Sequence, residues 1–256
     1  MIEPDPWSIL RRFTDARIGL GRSGSGQPTR EVLKFALAHA RARDAVNTPM
    51  DWAPVESGLA ALGLETRRVH SAAESRDIYL RRPDLGRRLG AESRQALAGI
   101  GGSPDLLLVV GDGLSSTGIA ANAVQLVAAV LPYARNSGWR LGPTLLASEA
   151  RVALGDEAGE FLKAKAVAVL IGERPGLSSP DSLGVYLTFD PKAGRKDAER
   201  NCISNVRTGG LGTEEAAFKM AWLLREAFKR RMTGVSLKDE SNFQLDGRRE
   251  PGRIGS

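Results

Sequence analysis

Asp105-Leu106-Leu107-Leu108-Val109-Val110, closed by Gly111-Asp112-Gly113, is the stretch on which the reading of the fold turns. A short, unbroken apolar run bounded by glycines reads as a strand buried on both faces. Ala166-Val167-Ala168-Val169-Leu170-Ile171, ending in Gly172, repeats the pattern. Leu145-Leu146-Ala147 and Leu183-Gly184-Val185-Tyr186-Leu187-Thr188-Phe189 are further strand candidates. Between these runs lie helical stretches over residues 117–130 and 156–163, with a turn at Asn136-Ser137-Gly138. Buried strands alternating with helices predict an α/β fold: a mostly parallel, Rossmann-like sheet over residues 101–240, with helices on both faces.

Working outward, residues 1–100 read as an N-terminal helical and docking region. Pro28 suits the first position of a helix expected over residues 28–46, where Val32, Leu33, Ala36, Leu37 and Ala40 recur at helical spacing. Shorter helices are expected over 54–62 and 91–98. Residues 71–89 are densely charged and read as an exposed docking segment. On the other side, Thr213 is a plausible N-cap for a long closing helix, with Glu214 and Glu215 at its positive end. Ala216, Met220, Leu223 and Ala227 form one apolar stripe, Ala217, Ala221, Leu224 and Phe228 its neighbour, and Gly234 the expected stop. Residues 241–256 read as a loose polar tail.

Composition removes several function classes. The chain has 256 residues, 42% hydrophobic and 26% charged, as expected of a soluble globular protein. A single cysteine, Cys202, rules out an internal disulfide, and with only His39 and His70 beside it a zinc site is not expected. The same scarcity leaves few groups for triad-type catalysis. The net charge of +6 is spread along the chain, and clusters such as Lys229-Arg230-Arg231 have no interleaved aromatics, so nucleic acid is not the expected partner. No apolar run approaches the roughly 18–20 residues needed to span a bilayer. The opening residues lack a secretory pattern, so the expected location is cytoplasmic.

Three glycine-containing loops carry the functional question. Gly19-Leu20-Gly21-Arg22-Ser23-Gly24 matches a dinucleotide-binding pattern, which would make the chain an NAD-binding oxidoreductase. The polar residues before it are unlike a central strand, and a plain glycine turn is the simpler reading. Gly111-Asp112-Gly113 and Gly172-Glu173-Arg174-Pro175-Gly176 each follow a buried strand directly, at the sheet edge where ligands bind in open α/β folds. Such loops also serve as ordinary turns. Asn201-Cys202-Ile203-Ser204-Asn205 reads as a polar loop, its thiol a small buried hydrophobe.

Taken together, five blocks resemble the small subunit of ethanolamine ammonia-lyase over nearly the whole chain. They are Ala16-Arg17-Ile18-Gly19-Leu20-Gly21-Arg22, Tyr79-Leu80-Arg81-Arg82-Pro83-Asp84-Leu85-Gly86-Arg87-Arg88-Leu89, Gly111-Asp112-Gly113-Leu114-Ser115, Gly172-Glu173-Arg174-Pro175-Gly176-Leu177 and Cys202-Ile203-Ser204-Asn205. The resemblance implies an adenosylcobalamin-dependent conversion of ethanolamine to acetaldehyde and ammonia, with the radical supplied by the cofactor. It implies a catalytic large subunit, cobalamin held between the two chains, and a heterododecamer of large and small chains. No catalytic residue is then expected here, because the family's substrate site lies in the large subunit, and no metal ligand, because the family keeps the cofactor's own base on cobalt. The implied cofactor contacts are Val152, Glu173 and Cys202, with Arg151 a weaker neighbour. The implied location is the cytoplasm, either free or in a bacterial microcompartment. Relatives delivered to such a compartment carry a long N-terminal extension, whereas this chain begins almost at the shared core.

Overall fold

The computed structural model describes residues 5–241. Among these residues six strands form one sheet: β1 Thr66–His70, β2 Leu106–Gly111, β3 Thr144–Ser148, β4 Ala166–Gly172, β5 Leu183–Phe189 and β6 Asn201–Val206. The α-helices are α1 Thr29–Asn47, α2 Ala53–Ala61, α3 Arg76–Arg81, α4 Ala91–Ala98, α5 Ser116–Asn136, α6 Val152–Phe161 and α7 Thr213–Arg230. The strand order is β1-β3-β2-β4-β5-β6. The first four in that order are parallel; β5 pairs antiparallel with β4 and β6 antiparallel with β5, so β5 alone runs against the rest. The mostly parallel α/β class read from the sequence is therefore the one observed. Its order differs from the 3-2-1-4-5-6 of the dinucleotide-binding fold.

The unbroken apolar text of β2 and β4 follows from burial on both faces. Leu106, Leu108 and Val110 pack with α2, α5 and α7 on one face, while Leu107 and Val109 pack with α4 and α6 on the other. Both expected stripes of α7 lie in the first of these layers. From β2 the chain moves to β3 on one side and then crosses to β4 on the other. That reversal leaves a crevice between the carboxyl ends of β2 and β4, where Gly111 pairs with Ile171.

Several expectations need correction. Residues 201–205 are not a loop but strand β6, and β1 went unforeseen. Both are edge strands with largely exposed side chains, so neither shows an apolar run. Because β1 pairs with β3, part of the first hundred residues belongs to the sheet itself. The segment at 71–89 is not simply exposed: Tyr79 and Leu89 are fully buried. Single apolar anchors inside charged text leave no periodic signal. Helix α6 starts at Val152, four residues before the expected 156, because its first turn is apolar and held by packing of Leu154 and Gly155. Helix α7 is preceded by Gly212 rather than capped by Thr213 and closes on Arg231 in the left-handed region, short of Gly234. Cys202 is exposed rather than buried. Apart from Ser241, the tail expected at 241–256 lies outside the described residues.

One described helix, α5, is long and apolar enough to cross a membrane, contrary to the reading from the sequence. Its Ile119, Ala123, Leu126, Val127 and Val130 are buried in the core against the sheet and α7. The apolar stripe of α1 has no such cover: Val32, Leu33 and Leu37 are exposed, as are Phe35 beside them, Trp7 and Ile9 in the short 3-10 helix Pro6–Arg12, and Phe13 just after it.

Candidate functional site

The crevice between β2 and β4 opens into a cleft of ≈ 380 Å³. Its floor is built from the two glycine loops, which grip each other. Leu114 N–H donates to Gly172 O at 2.9 Å. Gly113 sits at φ +58, and a side chain there would place its Cβ 2.2 Å from the same carbonyl. Ser115 caps α5 by accepting from Gly118 N–H, and its hydroxyl donates to Pro180 O at 2.7 Å. The loops after β2 and β4 are thus tied into one rigid surface.

The charged segment at 75–89 contributes Tyr79 to the wall of the cleft. Tyr79 donates its hydroxyl to Ala150 O at 3.0 Å, and burial raises the pKa of that phenol well above its ordinary value. Two guanidiniums lie over its ring, Arg76 at 4.8 Å and Arg151 at 4.4 Å from the centroid. Gly86 permits this packing, since a Cβ there would come within 2.9 Å of both the Tyr79 ring and Arg151 Cγ. Gly86 O also accepts from Arg151 N–H at 2.8 Å.

Asp112 anchors the opposite side of this wall. Its carboxylate accepts from Glu149 N–H at 2.9 Å and Ala150 N–H at 3.1 Å. These bonds support Glu149 at φ 52, in the left-handed region, and so fix the chain leading into Arg151. Burial pushes the Asp112 pKa up to about 6, with the neighbouring Glu149 adding to the rise. Arg76 Nη1 donates to Glu149 Oε2 at 3.0 Å and to Gly113 O at 2.8 Å. It therefore links α3, the first glycine loop and the β3–α6 connection.

Glu173 is the first residue after β4, and its Oε2 accepts Asn205 N–H at 3.1 Å. Next to it, Tyr186 on β5 is the register partner of Cys202 on β6. Desolvation raises the Cys202 thiol's pKa, opposed by a hydrogen bond from Tyr186, while the negative charge of Glu173 reinforces the rise. Of the expected contact residues, Val152 and Glu173 line the cleft together with Arg151. Cys202 stands one strand further out, beside the lining Tyr186. Tyr79, Arg174 and Tyr186 also line the cleft and were not singled out from the sequence. The only available hint was a tyrosine alone in a charged run.

The loop at 19–24 lacks a dinucleotide-binding context. A short 3-10 helix rather than a strand precedes it, and α1 begins only at Thr29. Just before this loop, Arg17 Nη2 donates to Leu177 O, which follows the second glycine loop, at 3.3 Å.

Comparison with known proteins agrees with this arrangement of blocks. The family described as ethanolamine ammonia-lyase light chain (EutC) matches residues 4–238. The chain is 56% identical over 236 residues to the ethanolamine ammonia-lyase small subunit of Rhodopseudomonas palustris, covering 92% of this chain and 90% of the relative. It is 55% identical over 253 residues to that of Bradyrhizobium diazoefficiens, covering 98% and 95%. With the small subunit of Xanthomonas campestris pv. campestris the identity is 51% over 247 residues, covering 95% and 91%.

Proposed function

The chain belongs to the ethanolamine ammonia-lyase light-chain family and is a component of a lyase holoenzyme; from that premise we propose that it binds adenosylcobalamin against a catalytic large subunit. The observation that carries the proposal is the convergence of Arg151, Val152 and Glu173 on one cleft at the sheet's topological switch, with Cys202 at its margin. The overall reaction is the conversion of ethanolamine to acetaldehyde and ammonia. When bound, the cofactor supplies the radical chemistry.

The donor set fits such a ligand. Glu173, steadied by Asn205 N–H, keeps acceptor capacity for amide N–H groups at the ligand's periphery. Val152 offers an apolar contact and Tyr186 an aromatic one, while Cys202 adds a small side chain beside them. Arg151 Nε is buried without an acceptor, a group that a polar ligand would satisfy. In this reading the chain orients the cofactor and shields one side from water. Proton transfer at the substrate belongs to the large subunit.

The exposed apolar side chains of Trp7, Ile9 and Phe13, and of Leu33 and Leu37 on α1, support the partner half of the proposal. We assign it to contact with the large subunit, in a cytoplasmic heterododecamer. The direct test is co-expression of both chains followed by an acetaldehyde assay with and without adenosylcobalamin. Turnover that needs both chains and the cofactor is expected. Cofactor-independent turnover, or none from a stable complex, would overturn the reading.

A further inference from the structure

Among the described residues, Arg151 makes no ion pair and its side chain donates no hydrogen bond, although its Nε is shut away from solvent. Its neighbour over the same ring, Arg76, also has a buried nitrogen, Nη2, without an acceptor, but its charge is met by Glu149 at 3.0 Å and Asp112 at 3.9 Å. Holding a guanidinium partly desolvated without a counter-charge is unfavourable. Stacking on Tyr79 recovers part of that cost and fixes the group in the cleft. Arg174, also lining the cleft, is likewise without an ion pair among the described residues. The one carboxylate lining the cleft, Glu173, is already engaged by Asn205 N–H. Helix α6 begins at Val152 with no side-chain cap, so its positive end adds to the same charge. The cleft therefore carries two cations without ion pairs against one carboxylate, an excess of positive charge, and a complementary ligand brings an anionic group.

We infer that Arg151, held over Tyr79 and assisted by Arg174, binds the phosphate of the cofactor's nucleotide tail. The inference rests on the cofactor reading above and goes beyond it. Complete cobalamin carries a phosphodiester between the corrin side chain and its base, whereas cobinamide lacks it. The small chain is then the part of the assembly that distinguishes a complete cofactor from one without its tail. Arg suits this role better than Lys because its planar fork matches phosphate oxygens while its face stacks on the tyrosine.

The test measures equilibrium binding of adenosylcobalamin, adenosylcobinamide phosphate and adenosylcobinamide to the assembly of both chains. Wild type is expected to bind the phosphate-bearing cobinamide about tenfold or more tighter than the phosphate-free one. Arg151→Gln should shrink that preference to within about twofold, and Arg151→Lys should keep part of it. Because the readout is a ratio on one protein, a general loss of folded material does not mimic it. An unchanged preference in Arg151→Gln, or none in wild type, overturns the inference. If adenosylcobalamin still binds and Glu173→Ala weakens it, the cofactor reading survives that result. If wild type binds none of the three compounds, both readings fall.

Discussion

Glu173, at the end of the central strand β4, accepts the main-chain N–H of Asn205 on the edge strand β6 at 3.1 Å. One carboxylate thus ties the sheet's interior to its margin and fixes the distance between the cleft and Cys202. The bond occupies Oε2 and leaves acceptor capacity directed elsewhere.

Replacing that carboxylate should be felt in cofactor binding more than in folding. A hydrogen bond to a charged group is worth about 1.5–3 kcal/mol. Glu173→Ala should therefore weaken retention of adenosylcobalamin by the assembled protein about tenfold or more, read by equilibrium dialysis. Glu173→Gln should fall in between, since its carbonyl oxygen can still accept from Asn205. Equal affinity in all three proteins would remove Glu173 from the site.

Gly86 is expected to tolerate no side chain. A Cβ there meets the Tyr79 ring and Arg151 Cγ at 2.9 Å in a fully buried setting. Gly86→Ala should cost about 1–3 kcal/mol of stability, as overpacked sites do. It should also displace the stacked guanidinium, so that thermal stability and cofactor affinity fall together. A variant with the wild-type melting temperature would show that the wall yields easily.

Asp112 gives the folded protein a distinctive pH response. Its pKa rises from the usual 3.8 to about 6 on burial. Between those values the folded state holds a proton that the unfolded state has released. Stability from this group is therefore greatest below about 3.8 and declines as pH rises through about 6. The difference between wild type and Asp112→Asn isolates it from carboxylates of opposite sense, such as Asp105, whose pKa Lys165 and Arg140 depress. Denaturant titrations at several pH values should show wild type losing stability, relative to the variant, on the order of 3 kcal/mol across that window. A pH-independent difference would mean that Asp112 stays ionised throughout.

Leu33 and Leu37 stand one helical turn apart on α1, 64% and 52% exposed. Changing both to Ser should leave the isolated chain's melting temperature nearly unchanged, because neither side chain is packed. If this face meets the large subunit, association should weaken at least about tenfold, since burying a leucine is worth about 1.5–3 kcal/mol. Unaltered affinity by calorimetry would put the contact elsewhere.

The sheet's centre was legible because β2 and β4 are buried on both faces and so write unbroken apolar text. The edges were not. Thr66-Arg67-Arg68-Val69-His70 and Asn201-Cys202-Ile203-Ser204-Asn205 earn their extended form from neighbours rather than from composition. The glycine loops at Gly111 and Gly172 could be placed at strand ends, and resemblance to relatives added Val152, Glu173 and Cys202. Tyr79 could not be foreseen in its role. Its partners Arg76, Ala150 and Arg151 come together only through the fold, up to 72 positions apart in the chain. The α1 stripe was correctly periodic, yet periodicity does not say whether the cover comes from the same chain.

The most direct test of the central claim is equilibrium dialysis of adenosylcobalamin against three samples: this chain, the large subunit, and the two combined. Full-affinity binding only in the combined sample is the result expected of a cleft that supplies one side of a shared site. Equal affinity in the large subunit alone would contradict the account, because the cleft lined by Arg151, Val152 and Glu173 would then contribute nothing to holding the cofactor.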